Sequence, residues 1–236
     1  PALMSELCAR LAGALGSRLT TFDNGINARK SDIAYADEIH VLHGPGRITE
    51  QLGDCRYYIS PNSFFQTNSR QALVLYETTR AMAGLQGGDV VYDLYSGTGS
   101  IALFLAWHCA QAVGFEQEPS AVRDAGENAQ LNAAGNCSFV QVDLKHFAAA
   151  IRERSLPAPQ VVVTDPPRIG MHVDTVAELL KIAPRRIVYV SCNPASLARD
   201  AKLLAAGGYT LGEVKAVDLF PPTYHVESVA RLELNP

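Results

Sequence analysis

The chain has 236 residues, of which 47% are hydrophobic and 19% charged, with a formal net charge of −4. That is room for one large domain, or one domain and a smaller piece, with the composition of a soluble globular protein. No apolar run is long enough to span a bilayer, and the acidic balance argues against a free-standing nucleic-acid binder, which usually carries a basic excess.

In chain order, the first residues (PALMSELCARLAG) lack the basic start and long apolar stretch of a secretory signal. Pro1 stands where a methionine would begin a translated chain, so a trimmed piece of something longer is expected. A helix is predicted around Ser5–Gly16, then strands at RLTTFDN, EIHVLHG and CRYYISP, separated by Gly, Asn and Pro. Residues 1–60 therefore read as a small, partial α+β subdomain. Thr67–Gly84 has the spacing of an amphipathic helix leading into the rest. From Asp89 onward the pattern alternates: strand and glycine turn (DVVYDLYSGTGS), helix (IALFLAWHC), strand (AQAVGFEQE), helix (PSAVRDAGENAQLNAAG), strand (CSFVQVD), helix (LKHFAAAIRER), strand (QVVVTDPPR), helix (VDTVAELLKIA), strand (RRIVYVSC) and helix (PASLARDAKLLAAGG). Pro119 suits a first helical turn and Gly135 a helix end. Two last strands, near Tyr209–Asp218 and Val226–Leu234, have only a loop between them and should pair antiparallel at one edge. Residues 61–236 thus predict an α/β domain with a doubly wound, mostly parallel, seven-stranded Rossmann-like sheet.

Several motifs fall at the strand ends. In DLYSGTGS, Gly97 and Gly99 allow a tight turn and close approach of a ligand. Asp93, Glu116, Asp143 and Asp165 put carboxylates at or near the ends of four successive strands, and such rims hold ligands. Glu116 sits at about the offset (roughly 20 residues) at which an acid meets ribose hydroxyls. The bland reading is that Asp143 caps the helix after it. The turn lacks the third glycine of a dinucleotide pyrophosphate site, so S-adenosylmethionine, which has no phosphate, fits better than NAD. TDPPR (Thr164–Arg168) makes a stiff turn; Arg168 on it is either solvated or part of a site. Cys192 ends a strand just before a helix whose first turn would hold Pro194 and whose cap would be Asn193; the helix terminus there favours a thiolate. Cys8, Cys55, Cys109 and Cys137 are expected to be buried and structural. The odd, scattered set with no C-x-x-C pair predicts a reduced, cytoplasmic protein without a metal site. Glu227 begins the last strand, beside the strand ending in Cys192, and a thiolate with a carboxylate suits addition of a nucleophile followed by proton removal. Phe64 and Phe65 are core or a lid, and Gln66 has an amide suited to a cofactor's amino-acid end.

The stretches ISPNSFFQTN, VYDLYSGTGSI, GFEQEPSAV, TDPPRIG, VYVSCNPASLARD and FPPTYHVESVARL resemble, in that order, the S-adenosylmethionine-dependent RNA uracil-5-methyltransferases, which make 5-methyluridine in tRNA or 23S rRNA. TTFDNGINARKSD weakly resembles that family's central domain, and its N-terminal RNA-binding barrel is expected to be missing from this chain. The resemblance implies Cys192 as nucleophile, Glu227 as general base and Arg168 as an arginine beside the substrate. It implies Gln66, Asp93, Tyr95, Gly97, Gly99, Ser100, Glu116, Asp143 and Asp165 as the cofactor shell. Methylases of exocyclic amines carry an aromatic residue where Arg168 stands, and RNA cytosine carbon-5 methylases a cysteine. The implied partner is structured RNA, tRNA or rRNA, with no membrane and no metal, and a monomer is the working expectation. Two other readings stay open: a cofactor-binding or RNA-folding module with little turnover, and a small-molecule methyltransferase in which Cys192 is idle.

Overall fold

The computed structural model describes residues 2–28, 36–221 and 223–235; the end of the TTFDNGINARKSD stretch and Pro222 of FPPTYHVESVARL lie outside them. α1 (Ala2–Leu15) leads through a 3₁₀ turn to an antiparallel ribbon of β1 (Phe22–Ile26) and β2 (Glu38–His43). A second ribbon pairs β3 (Ile48–Leu52) with β4 (Cys55–Ile59). β3 is absent from the sequence-based expectation, which has a strand only at β4. Its signal is the Gly53-Asp54 pair between the two runs, with Gly53 at φ 59 making the hairpin turn. α2 (Ser69–Ala83) follows, capped by the Asn68 side chain, which accepts from the Gln71 amide, and ended by Gly84 at φ 52.

The remaining elements alternate: β5 (Val90–Leu94), α3 (Ser100–Ala106), β6 (Gln111–Glu116), α4 (Pro119–Leu131), β7 (Cys137–Gln141), α5 (Phe147–Glu153), β8 (Val161–Thr164), α6 (Val173–Ile182), β9 (Arg186–Ser191), α7 (Pro194–Ala206), β10 (Tyr209–Val217) and β11 (Glu227–Leu234). Pro119 and Pro194 open their helices, as the sequence suggests. Gly135 does not end α4: the helix stops at Leu131, with Asn132 as its cap and Ala133 turning the chain at φ 53.

One sheet of seven strands runs β10-β11-β9-β8-β5-β6-β7. The five strands from β9 to β7 are parallel, and β11 is antiparallel to both β9 and β10, which is the expected Rossmann-like arrangement. The parallel strands are apolar without alternation because both faces are covered; all of β8 is buried. On one face α2, α3 and α4 pack with the β3–β4 ribbon, which contributes Leu52, Cys55 and Tyr57 to that core. On the other lie α5, α6 and α7, with Phe147, Leu179 and Leu204 wholly buried. Cys8, Cys55 and Cys109 are buried as expected, and Cys137 is partly so.

The β3–β4 ribbon is held by two side chains that act as a strand would. Asn128 on α4 accepts from the Tyr58 amide (2.7 Å) and donates to the Tyr58 (3.3 Å) and Thr98 (3.1 Å) carbonyls. One turn on, Asn132 accepts from the Arg56 amide (2.8 Å) and donates to its carbonyl (2.6 Å). Asn128 is wholly buried, so Asn128→Ala strands three backbone groups and is expected to cost about 3 kcal/mol. The urea denaturation midpoint reads this directly, and an unchanged midpoint would mean that water replaces the amide.

Candidate active site

All five parallel strands deliver their C-terminal ends to one rim, and β11, running the other way, delivers its start there. The strand order therefore sets the order along the rim: Glu227, Cys192, Asp165, Asp93, Glu116, Asp143. Neighbouring strands are about 4.8 Å apart. Ser228 pairs with Ser191, so Glu227 and Cys192 are the adjoining residues at the rim end of that ladder. The chain reverses its winding between β5 and β8, the place where such sheets open a crevice.

At that crevice the turn after β5 is built from left-handed backbone: Tyr95 at φ 63, Gly97 at φ 52 and Gly99 at φ 81. Gly99 has a second reason to be glycine, since a Cβ there would stand 2.4 Å from the Phe139 ring. Tyr95 packs its ring against the α5–α7 core, so it is its left-handed backbone that shapes the crevice. Ser100 accepts from the Tyr76 hydroxyl (2.8 Å), and its carbonyl accepts from Tyr57 (3.1 Å). Glu116 grips the turn from β6, accepting from the amides of Gly97 (3.0 Å), Gln117 (2.8 Å) and Glu118 (2.9 Å).

The turn, Asp93, Asp165 and the segment Phe64–Gln66 line a narrow cavity of about 40 Å³. Phe65 packs on Tyr57 with ring centroids 5.4 Å apart, whereas Phe64 is 75% exposed; one aromatic is core and the other stands at the mouth. Three buried polar atoms around the cavity have no hydrogen-bond partner among the described residues: Asp93 Oδ1, Ser96 Oγ and Thr98 Oγ1. The Gln66 side chain is buried as well. Ser96 and Thr98 were not singled out from sequence, although they lie inside the quoted glycine turn. Asp143 is exposed, outside the cavity lining, and caps a 3₁₀ turn through the Lys145 amide (3.0 Å), as its bland reading has it.

The electrostatics combine burial, the larger influence, with crowding of carboxyls. Asp93 is held well above the usual carboxylate range by burial, then by Asp165 and Glu116, against one hydrogen bond from the Ala102 amide (2.9 Å). Burial, with Glu227 next in importance, pushes Asp165 up to about 7. Burial also raises Glu227, which is 6% exposed. Unpartnered acceptors beside carboxyls that resist ionisation make a site that a cationic ligand rich in donors would satisfy.

Cys192 stands where its motif places it. α7 begins at Pro194, and the Asn193 side chain caps it, accepting from the Ala195 amide (3.0 Å). The expected lowering of the thiol by that helix terminus does not prevail. Burial, Glu227 and Asp165 raise Cys192, with Arg168 and its own backbone amide opposing them. Two nearby carboxylates and partial burial outweigh one exposed guanidinium and the helix end. Arg168 itself is exposed, at the tip of a turn closed by the Gly170 amide on the Pro167 carbonyl (2.7 Å).

A family model described as tRNA (uracil-5-)-methyltransferase matches residues 47–234. An uncharacterized RNA methyltransferase of Chlorobaculum tepidum is 49% identical over 234 residues, 98% of this chain and 48% of that protein. One from Bacteroides thetaiotaomicron is 44% identical over 210 residues, 89% of this chain and 46% of that protein. Among solved structures, the Pyrococcus abyssi tRNA (uracil-54, C5)-methyltransferase in complex with S-adenosyl-L-homocysteine superposes with a TM-score of 0.76 at 37% identity, covering 90% of this chain and 50% of that one. The chain thus spans about half the length of the relatives it matches.

Proposed function

Because the chain belongs to the tRNA (uracil-5-)-methyltransferase family, we propose that it methylates carbon 5 of a uridine in structured tRNA or 23S rRNA, using S-adenosylmethionine. The observation that carries this reading is the rim itself, where a thiol and a buried carboxyl end adjoining antiparallel strands one strand from the crevice. Neither simple binding nor small-molecule methylation has a use for that pair.

In this reading the crevice holds the cofactor. Gln66, Asp93 and the backbone of Tyr95–Ser100 surround its amino-acid end, Glu116 meets its ribose, Asp165 lies toward the reacting base, and Asp143 lies at the far end of the rim. The cavity of about 40 Å³ is far smaller than a nucleoside, so part of its lining has to shift for the cofactor to enter. The cofactor supplies an electrophilic methyl group. Cys192 forms a bond to carbon 6 of the uracil, and the ring electrons move onto carbon 5 and oxygen 4. Carbon 5, now nucleophilic, takes the methyl. Glu227 removes the carbon-5 proton, the electrons return to form the 5,6 double bond, and the sulfur leaves as thiolate. Arg168, beside the thiol, favours its anionic form. The uridine must be out of its stack to meet these groups. Residues 1–60 are read as a small α+β unit and residues 61–236 as the catalytic domain of a cytoplasmic protein. Among the described residues no helix is long and apolar enough to cross a membrane.

The test uses tRNA and 23S rRNA transcripts containing 5-fluorouridine, which has no removable carbon-5 proton. With S-adenosylmethionine, the chain is expected to form a covalent complex that survives denaturing electrophoresis, and Cys192→Ser is expected to form none. Absence of the complex from the unaltered chain, when S-adenosylhomocysteine still binds, would replace this reading with that of a cofactor-binding module.

A further inference from the structure

The LARD stretch that follows Cys192 has no part in the chemistry above, yet it contains a carboxylate with no exposure at all. Asp200 is wholly buried on α7. Its Oδ2 accepts from the Met171 amide (2.7 Å) and from the Tyr189 hydroxyl (2.6 Å), and its Oδ1 accepts from Arg199 Nε (2.8 Å). Arg199 in turn donates from Nη2 to the Met171 carbonyl (3.1 Å). Both backbone groups of Met171 are therefore held from one helix turn. Met171 ends the short loop from Asp165, whose tip is the turn Pro167–Gly170 carrying Arg168. The other side of that turn is tied to the same helix, where Asn193 Nδ2 donates to the Arg168 carbonyl (3.1 Å). Gly170 sits at φ 83, and a Cβ on it would stand 2.5 Å from Arg199 Nη2 and 2.6 Å from Asp200 Oδ2, so the loop is drawn as close to α7 as a backbone can come.

We propose that Asp200, seconded by Arg199, is a positioning residue that locks the Arg168 turn to the helix starting after Cys192, and so holds the guanidinium beside the thiol. α7 acts as a ruler between the two groups, with Asn193 at its first end, next to the sulfur, and Asp200 two turns on. A buried carboxylate is costly unless it is fully bonded, and here it is bonded to the loop, to β9 and to its own neighbour, which is the arrangement of a group retained to set geometry. Three charges face the thiol: Arg168 from the turn, Asp165 from β8 and Glu227 from β11. Of the three, Arg168 alone favours thiolate, and it rides on the turn at the tip of the clamped loop, whereas Asp165 stands at the loop's start, where its amide is held by the Leu94 carbonyl (3.3 Å). The inference rests on the proposed role of Cys192, but it can be measured without RNA.

The experiment follows alkylation of Cys192 by iodoacetamide in the full chain as a function of pH, read by mass spectrometry of the peptide that contains it. Asp200→Asn is expected to move the profile to higher pH and to slow labelling at pH 7.5 about three- to tenfold, the change in thiolate fraction that follows from half to one pH unit. Arg168→Gln should do the same, and the double variant should be no slower than either alone, since both remove one influence. If Asp200→Asn does not fold, Arg199→Gln, at a half-exposed side chain, should show a smaller shift in the same direction. An unshifted profile in Asp200→Asn or Arg168→Gln, or effects that multiply in the double variant, would overturn the proposal. For Arg199→Gln, the overturning result is a profile that does not move. These outcomes are separate from the fluorouridine test, because alkylation reports the thiol whether or not RNA is a substrate.

Discussion

Glu227→Gln is expected to leave the RNA attached to the protein. The amide cannot take the carbon-5 proton, so the reaction should run through Cys192 addition and methylation and then stall, with the methylated pyrimidine still bonded to sulfur. Turnover should fall by about 10²–10⁴, the range for loss of a positioned general base. Unmodified tRNA or 23S rRNA transcripts should then give a denaturation-resistant complex without fluorine in the base, which the unaltered chain is expected to accumulate only transiently. Turnover within a few-fold of the parent, with no complex, would remove Glu227 from the chemistry. The residual reaction should also depend on pH in a defined sense. Burial raises Glu227, and burial with two carboxylates raises Cys192, so both are in their reactive, ionised forms only toward higher pH. The rate in the parent chain should therefore climb through neutrality. Glu227→Gln relieves Cys192 of one neighbouring anion and should move the rise to lower pH.

Asp165→Asn is expected to separate stability from function in the opposite direction. The carboxyl is pushed up to about 7 by burial and by Glu227. An unfolded aspartate ionises near 3.9. Between about pH 4 and 7 the unfolded chain releases this proton while the folded chain keeps it, so stability is present below that window and is lost as pH rises through it. The full loss at pH 8 is at most roughly 4 kcal/mol, from about three pK units at 1.36 kcal/mol each. An amide of the same shape has no charge to desolvate. Asp165→Asn should gain most of this relative to the parent at pH 8 and little at pH 4, and equilibrium urea unfolding at the two pH values would show it. S-adenosylhomocysteine affinity should drop in the same variant. Equal stability of parent and variant at pH 8 would mean that the carboxylate is solvated in the folded state. The cost fits a carboxyl kept at a ligand-binding rim in spite of stability.

The contrast between what could be read from residues and what could not follows from range. Alternating apolar runs and helix signals are local, and they located the strands and helices from β5 onward because each parallel strand must be hydrophobic on both faces and each helix on one. Pro119, Pro194 and Asn193 mark their helix starts by the missing or bonded amide at those positions. Gly135 misled because α4 is ended by Ala133 in a left-handed conformation that alanine seldom adopts. β3 was missed because its run ITEQL has little apolar patterning of its own, and its pairing with β4 and burial of Leu52 supply the stability.

The site divides the same way. By itself the amino-acid order determined which chemical groups stand at strand ends, namely Asp93, Glu116, Asp143, Asp165, Cys192 and Glu227, because strand ends are a local property. Only the tertiary structure decided who neighbours whom: the order β11-β9-β8-β5 sets the thiol between Glu227 and Asp165, and burial together with that crowding raises the sulfur where the helix terminus alone would lower it. Asp143 was turned to capping, Ser96 and Thr98 were left with unpartnered hydroxyls, and Asp200 was brought onto a loop 29 positions earlier in the chain. The physical reason is that burial and charge act through space, falling with distance between groups and not with their separation along the chain.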